Sequence, residues 1–374
     1  MRGNDQRKKS VCFITGQLGL GGAERQLYLL VKGLSNNGWR VSVISLNPDQ
    51  NDFWENPLLK LGIRIYKIPR SSNPLLRLPH IYKAVQKERP YILQSWTIYA
   101  NFYASLSGFV ARVPHTFGAE RSDPEQSRQR IGHFWYKLSL MGIDGCLVNS
   151  KNAYSKLQEM CPNLNIFYIK NGIEVRSHNN NSFEPLRNDF NIPKTKIVIG
   201  TIGSLYPYKN ISLLINAFSK ILLQHDEAYL VIVGDGLLLP NLKEEASAIL
   251  CQGTYQFLGK IEDGYKIMNM FDIFCLPSTC EGMPNVVMEA SAAGIPVVAT
   301  KVGAVPELID DQQSGMIVQP DNEKGLIEAI LILATNEQLR SRMGKNGREK
   351  MISEFSVQSM VDAVDKIYRE FYEL

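Results

Sequence analysis

No apolar run in this 374-residue chain approaches the ~18 residues that a membrane-spanning helix needs. The N-terminus, MRGNDQRKKSVCFITG, is basic and then apolar for only five residues, too short for a secretory leader, and reads as a first β-strand. The six cysteines (Cys12, Cys146, Cys161, Cys251, Cys275, Cys280) are scattered, form no Cys-x-x-Cys pair and lie mostly in apolar runs. That argues against a disulfide framework and fits buried thiols in a reducing cytosol. There is no internal repeat and no low-complexity tail, and no nucleic-acid partner is expected. A dinucleotide fingerprint is missing too: the glycines of TGQLGLGGAERQ, at 16, 19, 21 and 22, do not fall in the G-x-G-x-x-G spacing, and the strand ending VISLNPDQ has no acid in register.

What remains is ordinary globular composition, 44% hydrophobic and 21% charged, in a chain long enough for two domains. The net charge of +4 hides an asymmetry. Residues 1–174 hold 23 Lys and Arg against 12 Asp and Glu; residues 175–374 hold 18 against 25. A basic front half can face an anionic membrane or a phosphorylated acceptor, unless the charge serves solubility alone.

Short β-branched runs (SVCFIT, RVSVISL, GIRIYKI, YILQSW, GCLVNS, NIFYIK) alternate with helical stretches of ten residues or more. One of these, AERQLYLLVKGLSNNG, puts Leu27, Leu30, Val31 and Leu34 on one face. The pattern predicts parallel sheets with right-handed crossovers. It stops after KNGIE, where VRSHNNNSFEPLRNDFNIPKTK is polar and aperiodic, and then restarts with KIVIGTIGSL, AYLVIVGDG, YQFLGKI, FDIFCLPS and IPVVATKVG. The expected fold is α/β: two Rossmann-like parallel-sheet lobes with an interdomain cleft, ligands lying beyond the carboxyl ends of the strands. The expected bounds are 1–174 for the first lobe, 175–354 for the second and 355–374 for a last amphipathic helix.

Three loops carry candidate chemistry. In the first, Gly21 and Gly22 open a helix and let a ligand approach backbone N–H groups. In the second, GTIGSLYPYKN, a strand ends at Gly203 and Lys209 stands at the start of the next helix, where it can meet a phosphate; a merely solvated lysine is the plain alternative. In the third, EGMPNVVMEA, Glu281 lies in a loop and Glu289 about one turn into a helix. Two carboxylates so spaced, with Gly282, Met283, Pro284, Asn285 and Val286 between them, suit a nucleotide sugar: carboxylates accept from sugar hydroxyls and backbone N–H groups take the phosphate.

The stretch EGMPNVVMEASAAGIPVVAT closely resembles the Glu-x7-Glu signature of the family 4 glycosyltransferases, which have the GT-B fold. The resemblance continues in order through GLGGAERQL, KNGIE, GTIGSLYPYKN, VIVGDG, FLGKI and VGAVPELI. It implies a retaining, metal-independent hexosyl transfer from a nucleotide diphosphate donor, a UDP-sugar by family habit, without a cofactor or an enzyme nucleophile. The chain has no Asp-x-Asp triplet, which agrees with metal independence.

By resemblance, Glu281 bonds the donor sugar, Glu289 the nucleotide ribose, Met283–Val286 the sugar and phosphate, and Lys209 the departing diphosphate. Gly21 and Gly22 leave room for phosphate, and the backbone at Lys260 and Ile261 is the base-binding turn. The last helix crosses back onto the N-terminal lobe. Where the family often has an arginine before the lysine, Ser204 stands here, and Lys209 has less help unless Arg121 or another basic residue compensates. Where the family often has a histidine, the chain reads PHTFGAERSD: His115 falls early in the strand and reads as structural, leaving Glu120 and Arg121 as acceptor-side candidates.

The stretch SRQRIGHFWYKLSLMG, 127–142, either lies on an anionic membrane and takes a lipid-linked acceptor, or packs on the first lobe with a basic exposed face. The implied setting is cytoplasmic, as a monomer or homodimer, peripheral at the inner face of the cell membrane, building surface polysaccharide or glycoconjugate. Rival readings are a non-catalytic nucleotide-sugar-binding protein, a 2-epimerase of the same fold (which would bring more than this chain's five histidines) and a dinucleotide oxidoreductase.

Overall fold

The structure is a computed structural model that describes residues 9–49, 52–71, 73–175 and 187–372. The chain divides into two compact units. The first comprises the chain up to Gly172 and again from Val357; the second is Ile173–Ser356. Half of the expected linker, residues 176–186, lies outside the described residues.

The first unit is wound as β1 (Ser10–Thr15), α1 (Gly22–Asn36), β2 (Arg40–Ser45), α2 (Glu55–Lys60), β3 (Arg64–Lys67), α3 (Leu78–Glu88), β4 (Ile92–Ser95), α4 (Ile98–Ala111), β5 (His115–Glu120), α5 (Pro124–Ile131), α6 (His133–Ser139), β6 (Gly145–Val148), α7 (Lys151–Met160) and β7 (Ile166–Tyr168). Its strands are parallel, in the order β3-β2-β1-β4-β5-β6-β7. β1 is buried along its whole length, as a strand covered on both faces must be. The order reverses between β1 and β4, so the loops after these strands diverge and leave a crevice at their carboxyl ends.

The second unit repeats the plan with β8 (Ile197–Ile202), α8 (Ile211–Leu222), β9 (Ala228–Val233), α9 (Leu239–Ile249), β10 (Tyr255–Gly259), α10 (Gly264–Met268), β11 (Ile273–Leu276), α11 (Asn285–Ala292), β12 (Val297–Thr300), α12 (Val305–Leu308), β13 (Gly315–Val318), α13 (Glu323–Thr335) and α14 (Glu337–Glu354). The parallel order is β10-β9-β8-β11-β12-β13, with its reversal between β8 and β11. Apolar layers cover both faces of the sheet, one centred on Phe274, Val287 and Met288, the other on Leu214, Phe218 and Ile330.

The last helix, α15 (Val357–Tyr372), returns to the first unit and packs on α1. Its Val361, Val364 and Tyr368 are buried with Leu27, Leu30, Val31 and Leu34, the apolar face expected of α1. Each such side chain removed from water contributes roughly 1.5–3 kcal/mol. Trp39 donates from its indole to Asp365 at 2.5 Å, and Tyr368 donates to Gln94 at 3.3 Å, so the polar tips are also satisfied. The buried Gln26 amide bonds both backbone groups of Gly172, at 2.8 and 2.9 Å, which anchors the chain where it leaves this unit.

Candidate functional site

Both loops at the switch point of the second sheet carry a sequence-predicted residue, and the fold joins them. Lys209 lies after β8 and Glu281 after β11, 72 positions apart; Lys209 Nζ donates to Glu281 Oε1 at 2.6 Å. Both side chains are nearly buried, at 13% and 10% exposure, so the pair lies in a setting where charge is poorly screened. Lys209 ends a short 3-10 turn, Pro207–Lys209, two residues before α8 rather than at its first turn.

Three neighbours that the sequence did not single out hold this pair. Ser278 donates to the same Glu281 Oε1 at 2.7 Å. The backbone carbonyl of Tyr208 accepts from Thr279 N–H at 2.8 Å, stitching the two loops together one residue from Lys209. The ammonium lies 5.4 Å from the Tyr208 ring centroid, whose hydroxyl is 3.2 Å from Ser204 Oγ. Ser204, in the place of the family's arginine, thus supports the lysine loop through Tyr208.

The segment between the glutamates turns into α11. Met283 and Pro284 are buried, Met283 within the core; Gly282, Asn285 and Val286 are half-buried. Helix α11 ends as expected, with Gly294 at positive φ and the Ile295 N–H reaching back to Ala290 O. Glu289 is buried on α11 with its carboxylate beside Gly264, at the end of the turn that follows Lys260 and Ile261. Lys260 is exposed, and Ile261 packs against the core. The expected ribose carboxylate and base turn are therefore neighbours.

Gly303, outside every predicted site, decides the shape of the Glu281 turn. Its φ is +50°, and a Cβ there would overlap the carbonyl oxygens of Glu281 and Gly282, while the next residue, Ala304, donates its N–H to Gly282 O at 2.7 Å. Gly303→Ala is expected to cost more than the ~1–2 kcal/mol of left-handed backbone alone. Gly253→Ala is the control, also at positive φ but facing open space. Melting curves should show the larger loss at 303, and equal losses would mean that the contact with the Glu281 turn is unimportant.

In the first unit, Gly21 caps the N-terminus of α1, where the sequence predicted room for phosphate. That helix end already holds an acid: the Glu24 carboxyl group folds back against the position of a Gly21 Cβ, and burial raises its pKa above the ordinary value. Arg121 follows β5. Its guanidinium lies 4.1 Å from the Trp96 ring centroid and donates to Asn171 at 2.5 Å; burial lowers its pKa to about 9, with Glu24 opposing. Asn171 belongs to KNGIE, a stretch recognised in the sequence without a role for this residue.

The expected acceptor-side role of Glu120 finds no support in this geometry. Successive side chains at a strand end point to opposite faces. The Glu120 carboxylate is fully buried and accepts from Ser122 N–H at 3.1 Å, Ser127 at 3.0 Å and Tyr136 at 3.2 Å. His115 packs between Tyr91 and Phe371, with Asp144 at 3.8 Å, in keeping with a structural role.

Two family profiles match the chain, Glycosyltransferase Family 4 over residues 20–177 and Glycosyl transferases group 1 over residues 182–350. Among curated proteins, the N-acetyl-alpha-D-glucosaminyl L-malate synthase of Bacillus anthracis is 27% identical over 207 residues, covering 55% of this chain and 54% of that protein. The match thus spans about half the length of that relative. The UDP-Gal:alpha-D-GlcNAc-diphosphoundecaprenol alpha-1,3-galactosyltransferase of Escherichia coli is 23% identical over 308 residues, 77% of each chain. Among solved structures, HepE of Anabaena in complex with UDP-glucose superposes with a TM-score of 0.84 at 18% identity, covering 96% of this chain and 99% of that one, a likeness in fold. With two profiles that together span most of its length, on the GT-B architecture of paired parallel sheets, the chain belongs to the family 4 glycosyltransferases.

Proposed function

We propose that this transferase moves a hexosyl unit, with retention, from a UDP-sugar to a glycan or lipid-linked acceptor in surface polysaccharide or glycoconjugate synthesis. It would work without a metal, at the cytoplasmic face of the cell membrane. The observation that carries the reading is the Lys209–Glu281 pair at the switch point of the second sheet. Each group suits a different part of one donor. The Lys209 ammonium balances charge on the departing diphosphate, and the Glu281 carboxylate accepts from hydroxyls of the transferred sugar. In the structure the two groups neutralise each other, so a donor bound there has to replace each one's partner. Glu289 takes the ribose beside the 260–264 turn. In the first unit, Arg121 is the candidate for acceptor-side and catalytic charge. The names of the Escherichia coli galactosyltransferase and of the HepE complex, one a UDP-sugar enzyme on a lipid diphosphate acceptor and the other bound to UDP-glucose, favour the same donor and acceptor classes.

The test is a thermal-shift screen of the protein with UDP, GDP, ADP, CMP and NAD. A ligand at ~100 times its dissociation constant adds about 2.7 kcal/mol of stability. UDP is expected to give the shift, reduced in Glu289→Ala. A shift with NAD alone, or with no nucleotide, would overturn the donor assignment.

A further inference from the structure

The first unit exposes large apolar side chains that its fold does not need. Tyr99, Phe109 and Val110 of α4, Phe134 and Trp135 of α6, and Met141 beyond α6 are 52–80% exposed. They belong to one surface. Tyr99, Phe102, Phe109 and Val110 fall on one stripe of α4 by helical spacing. The Phe102 and Trp135 rings lie 5.8 Å apart, those of Phe134 and Trp135 lie 5.6 Å apart, and Ser105 of α4 donates to the Met141 carbonyl. Contiguous exposed apolar surface of this kind marks a contact with something else.

Charge says what that something is. Residues 98–112 and 127–142 contain no Asp or Glu and carry Arg112, Arg128, Arg130 and Lys137. The nearest acids are engaged elsewhere: Lys156 bonds Asp123 at 2.8 Å and Glu125 at 3.0 Å, and Asp144 accepts from Thr116 N–H at 2.7 Å. Rings and aliphatic chains next to cations, with Tyr and Trp among the rings, match the boundary of an anionic bilayer. Among the described residues no helix is long and apolar enough to cross a membrane, so the contact is a surface one.

We propose that the α4–α6 face docks this chain onto anionic lipid, with Phe109, Phe134 and Trp135 entering the headgroup boundary and Arg130 and Lys137 facing the lipid charge. This deepens the membrane placement proposed above and is testable without any sugar donor.

The experiment is co-sedimentation of the full chain with vesicles of phosphatidylcholine alone or with a third phosphatidylglycerol. Binding to the anionic vesicles is expected to be weakened by salt and at least ~10-fold weaker in the exposed-site variant Phe109→Ser/Trp135→Ser, whose melting temperature and UDP shift stay as in the wild type. An Arg130→Gln/Lys137→Gln variant should lose the preference for anionic vesicles. No vesicle binding, equal binding to both compositions, or binding that survives the double serine change would overturn the proposal. So would a dimer that the serine changes dissociate, since a second copy would then cover this face. None of these outcomes moves the UDP shift, which tests the transferase reading separately.

Discussion

Lys209→Ala and Glu281→Ala should each lower kcat/KM for sugar transfer at least ~10-fold, about 1.4 kcal/mol of transition-state stabilisation. Loss of a single charge-stabilising donor in other enzymes reaches ~10²–10³-fold, so the lysine change is expected to be the larger. A rate loss alone would be ambiguous, because the two groups also form a nearly buried ion pair. Removing one partner strands the other, at a cost of ~3–5 kcal/mol for a fully buried pair, whereas neutralising both is much cheaper. Here the stranded carboxylate keeps the Ser278 hydroxyl, which moderates that loss.

The double variant Lys209→Met/Glu281→Gln separates the two effects. It should melt closer to the wild type than Lys209→Ala does, yet transfer sugar no faster than either single variant, since residues that serve one donor do not add. Folded single variants with near-wild-type rates would sink the site assignment. A double variant that recovers activity along with stability would mean that the pair is structural.

The parts of this site legible in the sequence were those that local spacing carries. Glu281 and Glu289 stand eight apart across a loop-to-helix boundary, and Lys209 follows a strand and a glycine, so each could be assigned to the carboxyl end of its strand. That Lys209 and Glu281 touch was not legible, because it depends on β8 and β11 being neighbours in the sheet order. Gly303 was hidden for the same reason: its constraint comes from the carbonyls of a turn some 20 residues earlier. Glu24 was not legible because an acid in a first helical turn is ordinary, and only its fold back onto the helix end puts it where the sequence predicts phosphate. Glu120 was assigned by position at a strand end, where position alone does not say which face a side chain takes.

That assignment leads to the second large effect: Glu120→Gln should stabilise only slightly near pH 5 and much more near pH 8. Burial pushes the carboxyl up to about 7 from an ordinary 4.5. Below the ordinary value it is protonated whether the chain is folded or not. Between the two values the folded chain holds the proton and the unfolded chain releases it, so stability falls as pH rises through that window. Above the folded value the loss is complete, roughly 3 kcal/mol. A glutamine carries no such charge. Its oxygen can still accept from Ser122 and Ser127, and its amide can donate to the Tyr136 oxygen once that hydroxyl turns. Denaturant unfolding of both proteins at pH 5 and pH 8 reads the difference, in which other titrating groups cancel. A gap that does not change with pH would show that the carboxylate is not held protonated. Glu120→Ala then asks why a costly buried acid stands here. It removes all three anchors from the end of β5, one residue before Arg121, and is expected to slow transfer as well as lower stability, where Glu120→Gln lowers neither at pH 5. A folded Glu120→Ala with an unchanged rate would mean that Trp96 and Asn171 suffice to hold Arg121.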